Sequence, residues 1–143
     1  MHVPIRVDYG VRALVDLAQH SNEGLIPAAA IAKRQSIPEP YLERLLNTLS
    51  KQGVIRSHTG PQGGHALAME PSEVSLGMVM SIFGGNETLL SCLDNPGVCV
   101  QVDCCSQRDV WRSVDKAIQD ILNGTSIADL IAKMDTTKER VTA

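Results

Sequence analysis

Apolar residues recur along most of this chain every three to four positions, and over one short stretch every second position. Val11, Leu14, Val15 and Ala18 fall at i, i+3, i+4 and i+7, the spacing of one helix face. Asp8 stands where an N-cap or first-turn acid would begin that helix, and Asn22-Glu23-Gly24 breaks it. Pro27 suits a first helical turn, so Ala28 to about Gln35 reads as a second, short helix. Ser36-Ile37-Pro38 is a tight connection to a third, in which Leu42, Leu45, Leu46 and Leu49 repeat the apolar stripe. Pro38 and Pro40 mark its start and Gly53 its stop. Two short helices joined this way predict a helix-turn-helix.

The period then changes. Val54-Ile55-Arg56-Ser57-His58 is a β-type run, Gly60-Pro61-Gln62-Gly63-Gly64 a turn, and Ala66-Leu67-Ala68 a returning strand. A hairpin directly after the third helix predicts a winged helix-turn-helix. Ser75 caps a fourth helix with Leu76, Val79, Met80 and Phe83 on one face, ended by Gly84-Gly85. Gln107 to Leu122 is the longest helical stretch, closed by Gly124. Its residues Trp111, Val114, Ile118 and Ile121 form a two-heptad seam, widened by Val110, Ala117 and Leu122. Thr125-Ser126 caps a short last helix with Ile127, Leu130, Ile131 and Met134 inward, and Thr136–Ala143 is expected to fray.

Composition narrows the class. With 3% aromatic residues, the core must be built from Leu, Ile, Val, Ala and Met, which favours packed helices over a β-sandwich. The fold class is therefore mainly α. No apolar run approaches the ~18 residues of a membrane span, and Met1–Tyr9 lacks the regions of a secretory signal. Both point to a cytoplasmic protein without a membrane partner.

The net charge of −3 alone argues against nucleic acid, but the distribution of charge points the other way. Residues 33–65 carry Lys33, Arg34, Arg44, Lys51 and Arg56 against Glu39 and Glu43, with His58 and His65 in addition, whereas the flanking segments are acidic. Double-stranded DNA requires such a locally positive segment. Lys33, Arg34 and Lys51 suit phosphate contact. The outer face of the third helix offers Glu39, Tyr41, Glu43, Arg44, Thr48 and Lys51. Arg44 is suited to guanine or phosphate, Glu43 to a cytosine amine, and Tyr41 to phosphate or packing. The wing adds Arg56, His58, Thr59, Gln62 and Gly63.

The four cysteines all lie in one segment, Cys92-x6-Cys99-x4-Cys104-Cys105, immediately before the longest helix. In a cytoplasmic chain, grouped thiols mean metal or redox chemistry rather than structural disulfides. Three candidates follow: an iron–sulfur cluster, zinc, or a thiol/disulfide switch. Zinc prefers four ligands at tighter C-x2–4-C spacing. Neighbouring Cys104 and Cys105 cannot easily share one ion, because their side chains diverge. The helix start would turn amide groups toward an anionic centre. No nucleophile–base constellation, HExxH or Gly-rich phosphate loop appears, so an enzyme is not expected.

Tyr41-Leu42-Glu43-Arg44-Leu45-Leu46, Gly60-Pro61-Gln62-Gly63-Gly64, Val74-Ser75-Leu76-Gly77 and the Cys…Cys…Cys-x5-Trp run resemble the Rrf2 family of bacterial transcription regulators, with its IscR, NsrR and RirA types. The resemblance runs from Val7 to about Met134. It implies a homodimer paired through the long C-terminal helix, with Trp111, Val114, Ile118 and Ile121 as its dimerisation seam. It also implies a division into a winged helix-turn-helix region (1–85), a cysteine loop (86–106) and a dimerisation helix with a C-terminal helix (107–143), within one compact domain.

In cluster-binding members the last of three cysteines stands six residues before a Trp. Cys92, Cys99 and Cys105 match that triad, and Cys104 is extra. In the 2Fe-2S type a His follows the last cysteine by three, where this chain has Arg108, whose guanidinium stays protonated and cannot ligate. In the nitric-oxide-sensing type an Asp near the start of the first helix ligates a 4Fe-4S cluster in the partner subunit, and Asp8 occupies the matching place. The resemblance thus favours a 4Fe-4S cluster on Cys92, Cys99, Cys105 and Asp8, with Cys104 as an alternative to Cys105. In the wing, Thr59 replaces a frequent Arg and Gln62-Gly63 replaces Gly-Gly, which weakens an expected minor-groove contact. Alternatives are a cluster-free regulator that uses zinc or a thiol switch, and an iron–sulfur carrier, for which the positive segment has no use.

Overall fold

The computed structural model describes residues 2–85, 88–98 and 104–142. Helix α1 (Ile5–Gln19) is followed by α2 (Ala28–Gln35) and α3 (Glu39–Lys51), then by strands β1 (Ile55–His58) and β2 (Gly64–Leu67). Helix α4 (Leu76–Phe83), the single turn α5 (Ser91–Asp94), α6 (Arg108–Gly124) and α7 (Ile127–Thr142) complete the order. The fold is a winged helix, mostly α, with one two-stranded sheet.

Helix α1 is the central pillar. Ala13, Leu14 and Leu17 are fully buried, and α2, α3, α4, α7 and β2 all pack around them. The leucine stripe of α3 turns inward as its spacing predicts, with Leu42, Leu46 and Leu49 sealed from solvent. Val79 and Met80 of α4 and Ile127 of α7 close the same core. Burying each such side chain contributes about 1.5–3 kcal/mol.

The hairpin pairs Ile55 with Leu67, Arg56 with Ala66, Ser57 with His65 and His58 with Gly64, antiparallel. A feature outside the sequence pattern anchors it. Ile26, just before α2, exchanges two backbone hydrogen bonds of 2.8 Å with His65. The approach requires Gly64, since a Cβ there would lie 2.8 Å from the Ile26 carbonyl carbon. The wing is thereby tied to the entrance of the helix-turn-helix.

Two caps follow the sequence closely. Ser75 accepts from the Met78 amide at 3.1 Å, and Ser126 and Asp129 satisfy each other's amides at 2.9 and 3.1 Å. The starts of α4 and α7 are clipped together by Leu76 N–H to Thr125 O and Ile127 N–H to Val74 O, both 2.9 Å. Helix α7 departs from expectation by running helical to Thr142 instead of fraying from Thr136. The hydroxyls of Thr136, Thr137 and Thr142 donate to carbonyls four residues earlier, which satisfies them within the helix.

Candidate nucleic-acid interface and cysteine segment

Helix α2 ends at Ser36, whose left-handed backbone (φ 54°) turns the chain, and the Ile37 amide closes the turn on Ala32 O at 3.0 Å. Buried Ile37 holds the turn against the core. Because Leu42, Leu45, Leu46 and Leu49 face inward, Glu39, Glu43, Arg44 and Lys51 stand exposed on the opposite side of α3. Tyr41 and Thr48 are half-buried. The Tyr41 ring meets Tyr9 of α1 edge-on, centroids 5.8 Å apart, and the Thr48 hydroxyl donates to Arg44 O at 3.1 Å. Tyr41 is thus packed against α1, and Thr48 has a local hydrogen-bond partner.

Arg56, His58, Thr59 and Gln62 are exposed in the wing. The turn is closed by Gly63 N–H to Gly60 O at 2.9 Å, and a Cβ on Gly63 would collide with the His58 carbonyl. Behind the strands, the Ser57 hydroxyl and His65 Nδ1 lie 2.7 Å apart. Burial pushes the His65 imidazole below its usual pKa, opposed by the nearby Glu43 carboxylate. A residue on the exposed face of α3 thus acts electrostatically on the wing.

Lys33 is exposed on α2, as a phosphate contact requires. Arg34 is differently employed. Its Nε and Nη2 donate to Asp16 Oδ2 and Oδ1 at 2.9 and 2.6 Å, a two-pronged pair with a carboxylate that is 1% exposed. Gln35 Nε2 donates to Asp16 Oδ2 at 3.0 Å, and His20 Nδ1 stands 3.7 Å from Oδ1. Burial acts to raise the Asp16 pKa, but the hydrogen bonds from Arg34 and Gln35 and the charges of Arg34 and His20 outweigh it, and the carboxyl sits below its ordinary range. The position expected to grip phosphate thus fastens α2 to α1 first. Sequence reasoning passed over Asp16, although an acid inside Ala13-Leu14-Val15-Asp16-Leu17 was a visible signal. It also passed over Arg6, which donates to Phe83 O and, at 3.5 Å, to Gly84 O, capping the end of α4.

Asp8 lies in the first turn of α1, and its Oδ2 is 3.0 Å from Arg12 Nη2. The Arg12 guanidinium in turn sits 5.5 Å from the Tyr9 ring centroid. Of the cysteines, Cys99 lies outside the described residues, as does the side chain of Cys92, whose backbone belongs to α5. Cys105 is half-buried and Cys104 exposed, both as free thiols shortly before α6. Among the described residues, no three His, Cys, Asp or Glu groups converge. The donor chemistry nevertheless suits an iron–sulfur centre: soft thiolates, one of them partly withdrawn from water, before the amide-rich start of a 17-residue helix.

Helix α6 carries the seam. None of its residues is buried; Val110, Trp111, Val114 and Ile121 are exposed, Ile121 at 68%. Ile118 is half-buried, and Leu122 packs against the core. No helix among the described residues is long and apolar enough to cross a membrane.

Comparison with known proteins agrees with this arrangement. The IscR transcriptional regulator of Serratia proteamaculans is 35% identical over 127 residues, covering 89% of this chain and 77% of the relative. The structure of T. potens IscR superposes with a TM-score of 0.74 at 34% identity, covering 94% of this chain and 88% of that one. CymR, the global cysteine regulator of B. subtilis, shares the fold with a TM-score of 0.79 at 24% identity, covering 93% and 98%. These relatives are regulators rather than enzymes, and so is this chain. Residues 4–133 match the family model described as Rrf2, iron-dependent transcriptional regulator, and the chain belongs to the Rrf2 family as a transcription regulator of the IscR type.

Proposed function

We propose that the protein works in the cytoplasm as a homodimer on promoter DNA, its affinity set by an iron–sulfur cluster of the 4Fe-4S rather than the 2Fe-2S kind. The observation that carries the nuclearity is Arg108. It opens α6 three residues after Cys105, in the place of the histidine donor of the 2Fe-2S mode. Cys92, Cys99 and Cys105 would hold the cluster, with Asp8 as a fourth, oxygen donor. When bound, that group supplies a centre sensitive to oxidants, nitric oxide and iron supply.

The chain's own residues do the rest. Asp8, which would be the oxygen donor, now pairs through Oδ2 with Arg12, whose guanidinium lies by Tyr9, and Tyr9 touches Tyr41 at the start of α3, so a change at Asp8 would be felt along this chain of contacts. The Trp111, Val114 and Ile121 face of α6, open in one chain, pairs with the same face of a second copy and sets the distance between two α3 helices. Half-sites in the major groove are about 34 Å apart, so small reorientations change affinity. Arg44 and Glu43 supply base-edge contacts, Lys33, Lys51 and Arg56 phosphate contacts, and His58, Thr59, Gln62 and Gly63 the wing contacts.

The free, adjacent Cys104 and Cys105 favour a second reading, a cluster-free thiol switch. Anaerobic, iron-replete purification separates the two. Brown protein with about four iron and four sulfide per cluster by chemical analysis and Mössbauer spectroscopy supports the cluster. Colourless protein whose DNA affinity follows the thiol redox state supports the switch instead.

A further inference from the structure

Beside the helix-turn-helix, α1, the end of α2 and α7 line an open groove of about 640 Å³. Val11 and Val15 form one apolar wall, and Leu130 and Met134 form the other. This volume lies within the ~300–1,000 Å³ typical of small-molecule sites. Around the rim stand Arg12, Arg34, Lys133 and Lys138, with no acidic residue among the lining groups. Arg34 is engaged by Asp16 and Arg12 by Asp8, whereas the exposed Lys133 and Lys138 ammonium groups have no ion pair among the described residues. An apolar trough about 10 Å long, as the Leu130–Thr137 helical rise gives, thus runs between two cations with no carboxylate within 4 Å among the described residues, Lys133 feeling only the field of exposed Asp129 one turn earlier.

From this pairing we infer that the groove binds a small amphipathic carboxylate, its hydrocarbon part along Val11, Val15, Leu130 and Met134 and its anionic head at Lys133 and Lys138. The charge pattern chooses the ligand class. A neutral hydrocarbon would gain nothing from these cations, and a cationic amphiphile would be repelled. A bound ligand would bridge α7 to the end of α2, the first helix of the helix-turn-helix. The site uses none of the cysteines.

The test uses decanoate below its micellar concentration, titrated calorimetrically into the full-length protein, with decanol and decyltrimethylammonium as comparators. Saturable binding at one site per chain is expected, at least tenfold tighter for decanoate than for either comparator. K133E/K138E and M134E should each weaken it at least tenfold. Met134 is 37% exposed, so its substitution is compatible with folding, and T137E at the exposed rim serves should M134E unfold. Absence of saturable binding, equal binding of all three probes, or binding indifferent to these variants overturns the inference. So does a change of oligomeric state in M134E by sedimentation, which would make the groove an interface between copies.

Discussion

Arg34 grips Asp16 with both prongs of its guanidinium, at 2.6 and 2.9 Å, across the seam between the DNA-reading unit and the central helix. The partners are unequal. Asp16 is sealed from solvent, while the Arg34 side chain is 35% exposed. Removing the cation strands a buried carboxylate with only Gln35 and His20 beside it, whereas removing the acid leaves an arginine that can turn to water. Arg34→Ala should therefore destabilise by about 3 kcal/mol and Asp16→Ala by about 1–2 kcal/mol, measured by urea denaturation. Equal losses would mean that the pair is not buried as described.

The same carboxylate makes a pH signature. Its folded pKa lies below the unfolded value of about 3.9, so the folded state binds fewer protons in that interval. Its stabilisation is complete above the unfolded value and disappears as pH falls through the lower, folded one. Asp16→Asn should remove this acid-limb dependence in denaturation midpoints recorded from pH 5 down to 2.5.

In the wing, His65 is held below the usual histidine range of about 6.5 by burial, with Glu43 pulling it back up. Its neutral form is favoured by the fold. This contribution is present above pH ~6.5 and is lost as the pH falls toward the folded value. Titration of the His65 ring proton by NMR should show an apparent pKa below 6.5, and Glu43→Gln should lower it further. An upward shift would reverse the assigned sign.

On α6, V114E/I121E places charges on an open apolar face without touching the core, so the monomer should stay folded by circular dichroism. Sedimentation velocity should show loss of the dimer, and operator affinity should fall by two orders of magnitude or more. A variant that remains dimeric removes this face from the interface.

DNA contacts should sort by chemistry. Lys33→Ala and Lys51→Ala should each weaken all sequences alike and lower the salt slope by about 1. Arg44→Ala should cost about 1–3 kcal/mol and relax discrimination at one base pair. Fluorescence anisotropy on operator and scrambled duplexes separates the two patterns. Arg34→Ala, by contrast, should show its main effect in stability.

Among the cysteines, Cys99→Ala should abolish iron and sulfide binding while leaving the winged helix folded, because its core contains no cysteine among the described residues. Asp8→Ala should retain iron but shift the visible spectrum. An unchanged spectrum removes Asp8 from the ligand set.

Local periodicity made much of the fold legible: the Leu42–Leu49 stripe, the Ser75 cap and the Ile55–Leu67 hairpin each depend on neighbours a few residues away. Pairings set by the tertiary fold were not legible. Arg34 and Asp16 are 18 positions apart, and a sequence displays their charges without displaying that they neutralise each other. The Ile26–His65 bridge depends on the wing folding back, which no local spacing encodes. The length of α7 was missed because Thr136–Thr142 carries no apolar stripe and threonine is a poor helix former, while the helix simply propagates from the packed turns that begin at Ile127. The exposed face of α3 was legible as the complement of its buried stripe. The thiol segment was legible only as spacing.

The twin backbone links among Val74, Leu76, Thr125 and Ile127 fasten α6 at its C-terminal end, and the thiol segment enters at the other. That makes the helix a lever about 25 Å long with its fulcrum at Thr125. A tilt of only about 5° at the fulcrum sweeps the far end by about 2 Å, comparable to helix shifts that switch other regulatory proteins. In the proposed dimer, a modest chemical event at the thiols would therefore act with mechanical advantage on both copies.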